Sequence, residues 1–259
     1  MTYLPEGAAP TPSATLLRAA PPPSLSAQVA AFFSVEVPPG AAQAEVRALP
    51  DGCSDLIFDL GEAPRGWLGG PKARARCFTH RRGARLLGVQ LLPGAGHLLL
   101  GEPMVEWVDR SAPLERLASA TEAHALLESL ARTETLTEAA PLLSAFLEPR
   151  FQRKNVDPRV TRAFERIVAA GGQVAIPELA EEAHASARHL GRLFDQWIGL
   201  SPKGLARVVR FQAVLDRLGR GERPDWSALA DELGYADQAH LVRDFVAFAG
   251  LAPTAAAPP

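Results

Sequence analysis

The chain has 259 residues, a hydrophobic fraction of 47% and a formal net charge of −2 at pH 7. Those numbers favour two globular domains and exclude a disordered polypeptide. Two cysteines, Cys53 and Cys77, are too few for a disulfide framework or a four-cysteine zinc site, and they fit a reducing compartment.

The start, MTYLPEGAAPTPS, lacks the basic-then-apolar pattern of a secretory signal, and no run of 18 apolar residues spans a bilayer. A cytoplasmic protein with no membrane partner is expected. Residues 1–25 read as a Pro- and Ala-rich arm with one short strand, TLLRA. SLSAQVAAFFSVEV, from Ser24, reads as a short helix running into a strand. AEVRALPDGCSDLIFDLG reads as a hairpin, with Pro50-Asp51-Gly52 as its turn and Leu56, Ile57 and Phe58 in its second strand. Short strands continue from Trp67 to Leu92, broken by Gly69-Gly70-Pro71, Gly83 and Pro93-Gly94. Residues 1–110 therefore predict a small β barrel or sandwich.

Beyond Pro103 the period turns helical. PLERLASATEAHALLESLARTE and TEAAPLLSAFLEPR place apolar residues three and four apart. Residues 111–156 read as a helical coupling segment, ending in the polar linker FQRKNVDPRV. From Asp157 onward everything reads as helix until the AAAPP tail.

The C-terminal part repeats itself. RHLGRLFDQWIGLSPK, from Arg188, matches AHLVRDFVAFAGLAPT, from Ala239, after a shift of 51 residues: His189/His240, Leu190/Leu241, Arg192/Arg243, Phe194/Phe245, Gly199/Gly250, Leu200/Leu251 and Pro202/Pro253 are identical. Upstream, LAEEAHASARHL aligns with LADELGYADQAHL with one extra residue in the second copy, at a turn marked by Gly234. Each copy predicts a short helix, a turn and a second helix capped by Ser186 or Asp237. Leu190, Leu193 and Phe194 form an apolar stripe, as do Leu241, Phe245 and Phe248. The opposite faces present Ser186, Arg188, His189 and Arg192, and Gln238, His240 and Arg243. Arginine suits guanine and glutamine suits adenine in the major groove, and the N-terminal half of a recognition helix is where such residues read bases. Between the copies, Ser201 and Pro202 start a helix to about Leu218, roughly 26 Å long. Lys203 and Arg207, near its start, are candidate phosphate contacts.

These two segments resemble the DNA-binding domain of AraC-type transcription regulators over about Asp157–Thr254. GLSPKGLARVVRFQAVL and LADELGYADQAHLVRDFVAFAGLAP are similar to the two signature stretches of that family. The resemblance implies double-stranded DNA as a partner, with base contacts on Arg188 and Arg192 in the first copy and on Gln238, His240 and Arg243 in the second. Gly191 and Ala239 stand where the family often carries longer side chains, and Val246 and Ala247 where basic residues are common. More weakly, RALPDGCSDLIFDLG and LLGVQLLPGAGHLLLGEP resemble the sensor half of a subgroup of these regulators. That implies a β-rich domain answering to a small-molecule effector or protein partner, with the helices around Leu114–Phe146 coupling the halves and offering a homodimer surface.

The expected architecture is thus α+β: a β-rich regulatory domain (1–110), a helical segment (111–156) and an all-α double helix-turn-helix domain (157–259). No catalytic constellation, cofactor fingerprint or metal-ligand cluster is present, so an enzyme is not expected. His80 and His97 lack ligand partners in sequence. Cys53 and Cys77 read as buried small side chains rather than a redox pair. Trp67 and Trp107 read first as packing residues and second as pocket walls. Residues 157–259 hold twelve Lys and Arg against thirteen Asp and Glu. DNA binding must therefore rest on where the cations sit, and a sensor or adaptor with a weakened DNA-binding domain is the alternative.

Overall fold

The computed structural model describes residues 8–10, 14–37, 40–220 and 224–256. Most of the MTYLPEGAAPTPS arm, residues 38–39 and 221–223, and the last three residues of the tail lie outside the described residues. The N-terminal part is a sandwich of two antiparallel sheets. Strands β1 (Ala8–Pro10), β4 (Gln43–Ala48) and β7 (Arg76–Arg81) form the small sheet, in the order β1-β4-β7. Strands β2 (Thr15–Ala19), β3 (Val29–Glu36), β5 (Ser54–Asp59), β6 (Arg65–Gly69), β8 (Arg85–Leu91) and β9 (Ser111–Pro113) form the large one, in the order β2-β3-β8-β5-β6-β9. The expected TLLRA strand is β2. The sheets do not close into a barrel.

The alternation along the large sheet explains its two faces. Phe32, Leu56, Phe58, Leu87 and Val89 point to one side and are buried against helices α1 (Ala95–Leu100), α2 (Ala120–Ala131) and α3 (Leu136–Phe151), which contribute Leu98, Leu127, Leu143 and Leu147 to the same core. Phe33, Val35, Ile57 and Leu86 point to the other side and meet Val46 of the small sheet. Phe33 lies across the β8 backbone at its cross-strand partner Gly88. A Cβ at position 88 would fall inside the Phe33 ring, so this register requires glycine. Gly88→Ala should cost about 1–3 kcal/mol of unfolding free energy through the displaced ring, read as a lower denaturation midpoint at unchanged m value.

The expected hairpin across residues 44–61 does not form. Its two strands exist as β4 and β5, but they lie in different sheets, β4 pairing with β1 and β7 and β5 with β6 and β8. The reason is burial. A hairpin turn would place residues 49–53 in water, yet Leu49 is 4%, Asp51 1% and Cys53 2% exposed. The segment crosses between sheets through the interior. Cys53 is buried as expected, and burial pushes its thiol up, with Asp51 and Asp55 adding to the effect. Cys77 is not buried: it lies on exposed β7.

The C-terminal part is helical: α4 (Pro158–Ala169), α5 (Ile176–Glu182), α6 (Ala187–Trp197), α7 (Pro202–Gly219), α8 (Trp226–Glu232), α9 (Gln238–Ala249) and α10 (Pro253–Ala256). Helix α7 is long enough to serve two cores. Leu205, Ala206 and Val209 join α4, α5 and α6 in the first, and Val208, Phe211, Val214 and Leu218 join α8 and α9 in the second. Ser201 caps α7 by accepting the Gly204 amide at 3.0 Å, with Pro202 in the first turn.

Candidate nucleic-acid interface and ligand cavity

The two helix pairs, α5–α6 and α8–α9, are built by the same local rules. After α5, His184 takes a left-handed backbone (φ 53°), and after α8, Gly234 does the same (φ 70°). The following amides close the turn in the same way: Ala185 N–H donates to Ala180 O at 2.9 Å and Tyr235 N–H to Ala230 O at 2.8 Å. The extra residue of the second copy is absorbed between this point and the cap. Ser186 Oγ then accepts the His189 amide at 3.2 Å, and the Asp237 carboxylate accepts the His240 amide at 2.6 Å. The stripes expected to be apolar are buried: Leu190, Leu193 and Phe194 in α6, and Leu241, Phe245 and Phe248 in α9.

The residues singled out in sequence fall into two groups. Arg188, Gln238 and Lys203 are exposed, with no internal hydrogen bond or ion pair among the described residues. Arg192 and Arg243 are exposed on the second turns of α6 and α9, the latter 4.0 Å from Asp237. Ser186 is exposed and occupied as a cap. The histidines and Arg207 are drawn inward. His189 Nε2 accepts from Arg159 of α4 at 2.8 Å, which puts its proton on Nδ1. The 3.5 Å approach of Arg192 to that nitrogen is then a contact rather than a hydrogen bond. His240 Nδ1 accepts the Ala236 amide at 3.4 Å, and its ring stands edge-on to Tyr235 at 5.3 Å. Arg207 donates to Asp244 through Nε (3.1 Å) and Nη2 (2.8 Å) and lies over Phe248.

Sequence reasoning missed Asp244. It is 4% exposed and sits within the buried stripe of α9, between Leu241 and Phe245. An acid on an apolar stripe requires a partner, and that was the available signal. It also missed the contacts between the two halves. Phe248 O, at the end of α9, accepts the Ala75 amide at 2.6 Å, and Ala249 O accepts Arg47 Nη1 at 3.2 Å. Trp197, at the end of α6, packs edge-on against His97 at 4.4 Å. His97 is thereby a packing residue whose Nδ1 meets Glu102 O. The N-terminal part therefore holds the C-terminal ends of both second helices, α6 through α1 and α9 through β4 and the residue before β7, and leaves their N-terminal halves open.

Between the sheets lies a cavity of about 200 Å³. Phe33, Ile57, Trp67 and Phe78 give it apolar walls, and Arg18, Asp51, Asp55, Lys72 and Gln90 line its polar part. Trp67 is thus a pocket wall. Trp107 instead donates to Glu102 at 3.1 Å. Lys72 meets Asp55 at 2.5 Å; burial alone would lower its pKa, but Asp55 and Asp51 outweigh that and hold it above the usual range. Burial pushes Asp51 up to about 6, against the pull of Lys72 and with repulsion from Asp55. A raised carboxylate pKa stabilises the fold fully below the unfolded value and ceases to do so as pH rises through the folded one. Asp51→Asn removes that term. Its Tm relative to wild type should climb between pH 4 and about 6.5 and level off above, in thermal scans across pH; a flat difference would remove Asp51 as the titrating group. Among the described residues no cluster of three or more His, Cys, Asp or Glu could hold a metal, and no helix is long and apolar enough to cross a membrane.

Residues 179–257 match a family model described as a helix-turn-helix domain, and residues 17–113 match a domain of unknown function, DUF6597. No curated protein matches the chain. Similar solved structures include ToxT of Vibrio cholerae strain SCE256 with an unsaturated fatty acid bound, at 11% identity and TM-score 0.44 over 98% of this chain and 96% of that one. An apo ToxT variant from the same strain gives 12% identity and TM-score 0.41 over 95% of this chain and 97% of that one. The chain therefore carries a DUF6597 domain followed by a helix-turn-helix domain, and the two helix pairs, each capped by a side chain at the start of its second helix, make up most of the latter.

Proposed function

We propose that the protein is a sequence-specific DNA-binding transcription regulator whose N-terminal domain responds to a small molecule. One observation carries the reading. Two helix pairs of the same construction, joined by one 18-residue helix, leave arginines and a glutamine open on the N-terminal halves of α6 and α9. The base-reading set is Arg188 and Arg192 in the first motif and Gln238 and Arg243 in the second, with Lys203 on the phosphates. Ser186 supports its helix as a cap. His189, His240 and Arg207 act as internal ties. Helices α2 and α3 share their core with the large sheet, so the β-rich domain and the helical segment respond as one unit. The effector cavity is the space between the sheets.

The test is selection of bound sites from a genomic fragment library with the full chain, followed by binding titrations on the winners. Failure to enrich any sequence at low salt overturns the reading. It would favour the sensor or adaptor alternative, which the charge distribution supports. Arg159, Arg162, Arg166, Arg207, Arg210 and Arg217 all bond to internal acceptors. Among the described Lys and Arg from Asp157 onward, Arg188, Arg192, Lys203, Arg220 and Arg243 are left exposed without such a bond. With about five cations per chain available for phosphate, log K against log[salt] should fall with a slope no steeper than about −5 per bound chain. A slope near −10 would mean that the tied arginines release their partners on DNA.

A further inference from the structure

The segment Leu49–Cys53, which carries the chain from β4 to β5, touches both helix-turn-helix units. Leu49 packs in the core of the second unit and Cys53 in the core of the first. Between them, Pro50 O accepts a hydrogen bond from the Gln212 side chain, itself 1% exposed and part of α7. Gly52 has φ 79°, and a Cβ there would lie 2.6 Å from Leu205 Cδ1 of α7. The loop therefore straddles the helix that joins the two DNA-reading units and places one side chain in each core.

Asp51, in the middle of this loop, is bonded toward the cavity. Its Oδ1 accepts the Cys53 amide at 2.9 Å and its Oδ2 accepts Gln90 Nε2 at 2.8 Å. Gln90 Oε1 in turn accepts Arg18 Nη2 at 2.5 Å. Three side chains thus connect the cavity's polar end to a loop wedged between two helical cores.

The polar end also has a preference of its own. Asp55 is satisfied by Lys72, and Asp51 by Gln90 and a backbone amide. A cationic head group would have to displace those donors. An ammonium offers three donors and a guanidinium five, and Lys72 and Arg18 each spend one on the bonds named here. Open donors await an acceptor-rich, anionic head. The apolar space fits the rest. An apolar cavity of roughly 150 Å³ takes benzene, so about 200 Å³ between Phe33, Ile57, Trp67 and Phe78 suits one ring with a short arm.

We propose that the cavity binds a small single-ring carboxylate with its head on Arg18 and Lys72, and that occupancy shifts the Gln90–Asp51 bond and, through the 49–53 loop, the setting of α7 between the two helix-turn-helix units. The regulatory purpose rests on the regulator reading above; the binding chemistry does not. A ligand shifts the loop only if it favours one loop setting over another. Displacing Gln90 from Arg18 is the differential contact.

The experiment uses the full chain and three matched probes: phenylacetate, phenylacetamide and phenethylamine. By calorimetry near neutral pH, phenylacetate should bind about ten-fold or more tighter than the other two, as a charge-assisted pair requires. Arg18→Gln, on the edge strand β2, and Lys72→Met should each remove that preference; Arg18→Gln decides if Lys72→Met fails to fold. Hydrogen exchange with bound phenylacetate should change at residues 49–53 and 202–218. Gln212→Leu should keep probe binding and lose the change at 202–218. Equal or better binding of the amide or amine, or no binding of any probe, overturns the ligand class. Binding with unchanged exchange at the loop and α7 overturns the coupling. Titration of the same preparation with its selected DNA separates the two readings: intact DNA binding without probe binding sinks only the cavity, and the reverse sinks only the regulator.

Discussion

A chain carrying both Arg192→Ala and Arg243→Ala should bind its selected DNA site about 2–6 kcal/mol more weakly, roughly 30-fold to 10⁴-fold, with each single change costing about 1–3 kcal/mol. The two arginines are equivalent residues of the repeat, each on the second turn of a helix whose first turn is fixed by a side-chain cap. Neither is committed internally. Arg243 lies 4.0 Å from an exposed Asp237, and exposed pairs of that kind contribute little. The arginines belong to units with separate cores, so the single costs should add within about 0.5 kcal/mol. Each single variant should relax sequence preference at a different position of the site, about one helical turn apart. Anisotropy titrations on the selected site and on its single-base variants measure both effects. Lys203→Ala supplies the contrast: it should weaken every sequence alike and reduce the salt slope by about 1. If the arginine variants behave like Lys203→Ala, they contact phosphate and base reading lies elsewhere.

The C-terminal part was legible because its instructions are local. Ser186, Ser201 and Asp237 each act as the cap that their residue type and place before an apolar stripe imply. The 51-residue repeat maps onto two helix pairs with the same left-handed turn, and the single extra residue falls in that turn. What the sequence concealed depends on contacts between distant segments. Pro50-Asp51-Gly52 has turn chemistry, and it does turn the chain, but into a second sheet, because its neighbours Leu49 and Cys53 are buried in cores supplied by residues 160 and beyond. Arg207 looks like a phosphate ligand in any helical projection; the bidentate bond to Asp244 becomes visible only when α7 and α9 cross. His189 and His240 repeat in register, yet each already meets an internal partner, His189 the Arg159 guanidinium on α4 and His240 the Ala236 amide in the preceding turn. Periodicity finds a helix face, but it does not reveal which polar residues on that face already have partners.

The Arg207–Asp244 pair gives the largest expected effect on stability. Asp244 is buried between α9 and α7, while the Arg207 side chain keeps 37% of its surface exposed. That asymmetry sets the sign of a double-mutant cycle. Arg207→Met keeps an unbranched apolar stem but leaves a buried carboxylate without its cation, and should cost about 2–4 kcal/mol, the lower part of the range for broken buried pairs because water can partly reach the site. Asp244→Leu completes the apolar stripe of α9 and frees an arginine that can turn to solvent, so about 1 kcal/mol or less is expected. The double variant should recover most of the Arg207→Met loss, giving a coupling energy of about 1.5–3 kcal/mol. Urea unfolding of the four chains measures it. The same four chains then settle the role of Arg207 on DNA. In the Asp244→Leu background the guanidinium is free, so if it contacts phosphate, adding Arg207→Met must lower affinity and flatten the salt dependence. If affinity is unchanged between those two chains, Arg207 acts only by holding α9 onto α7, and the resemblance at this position extends to residue type but not to its use.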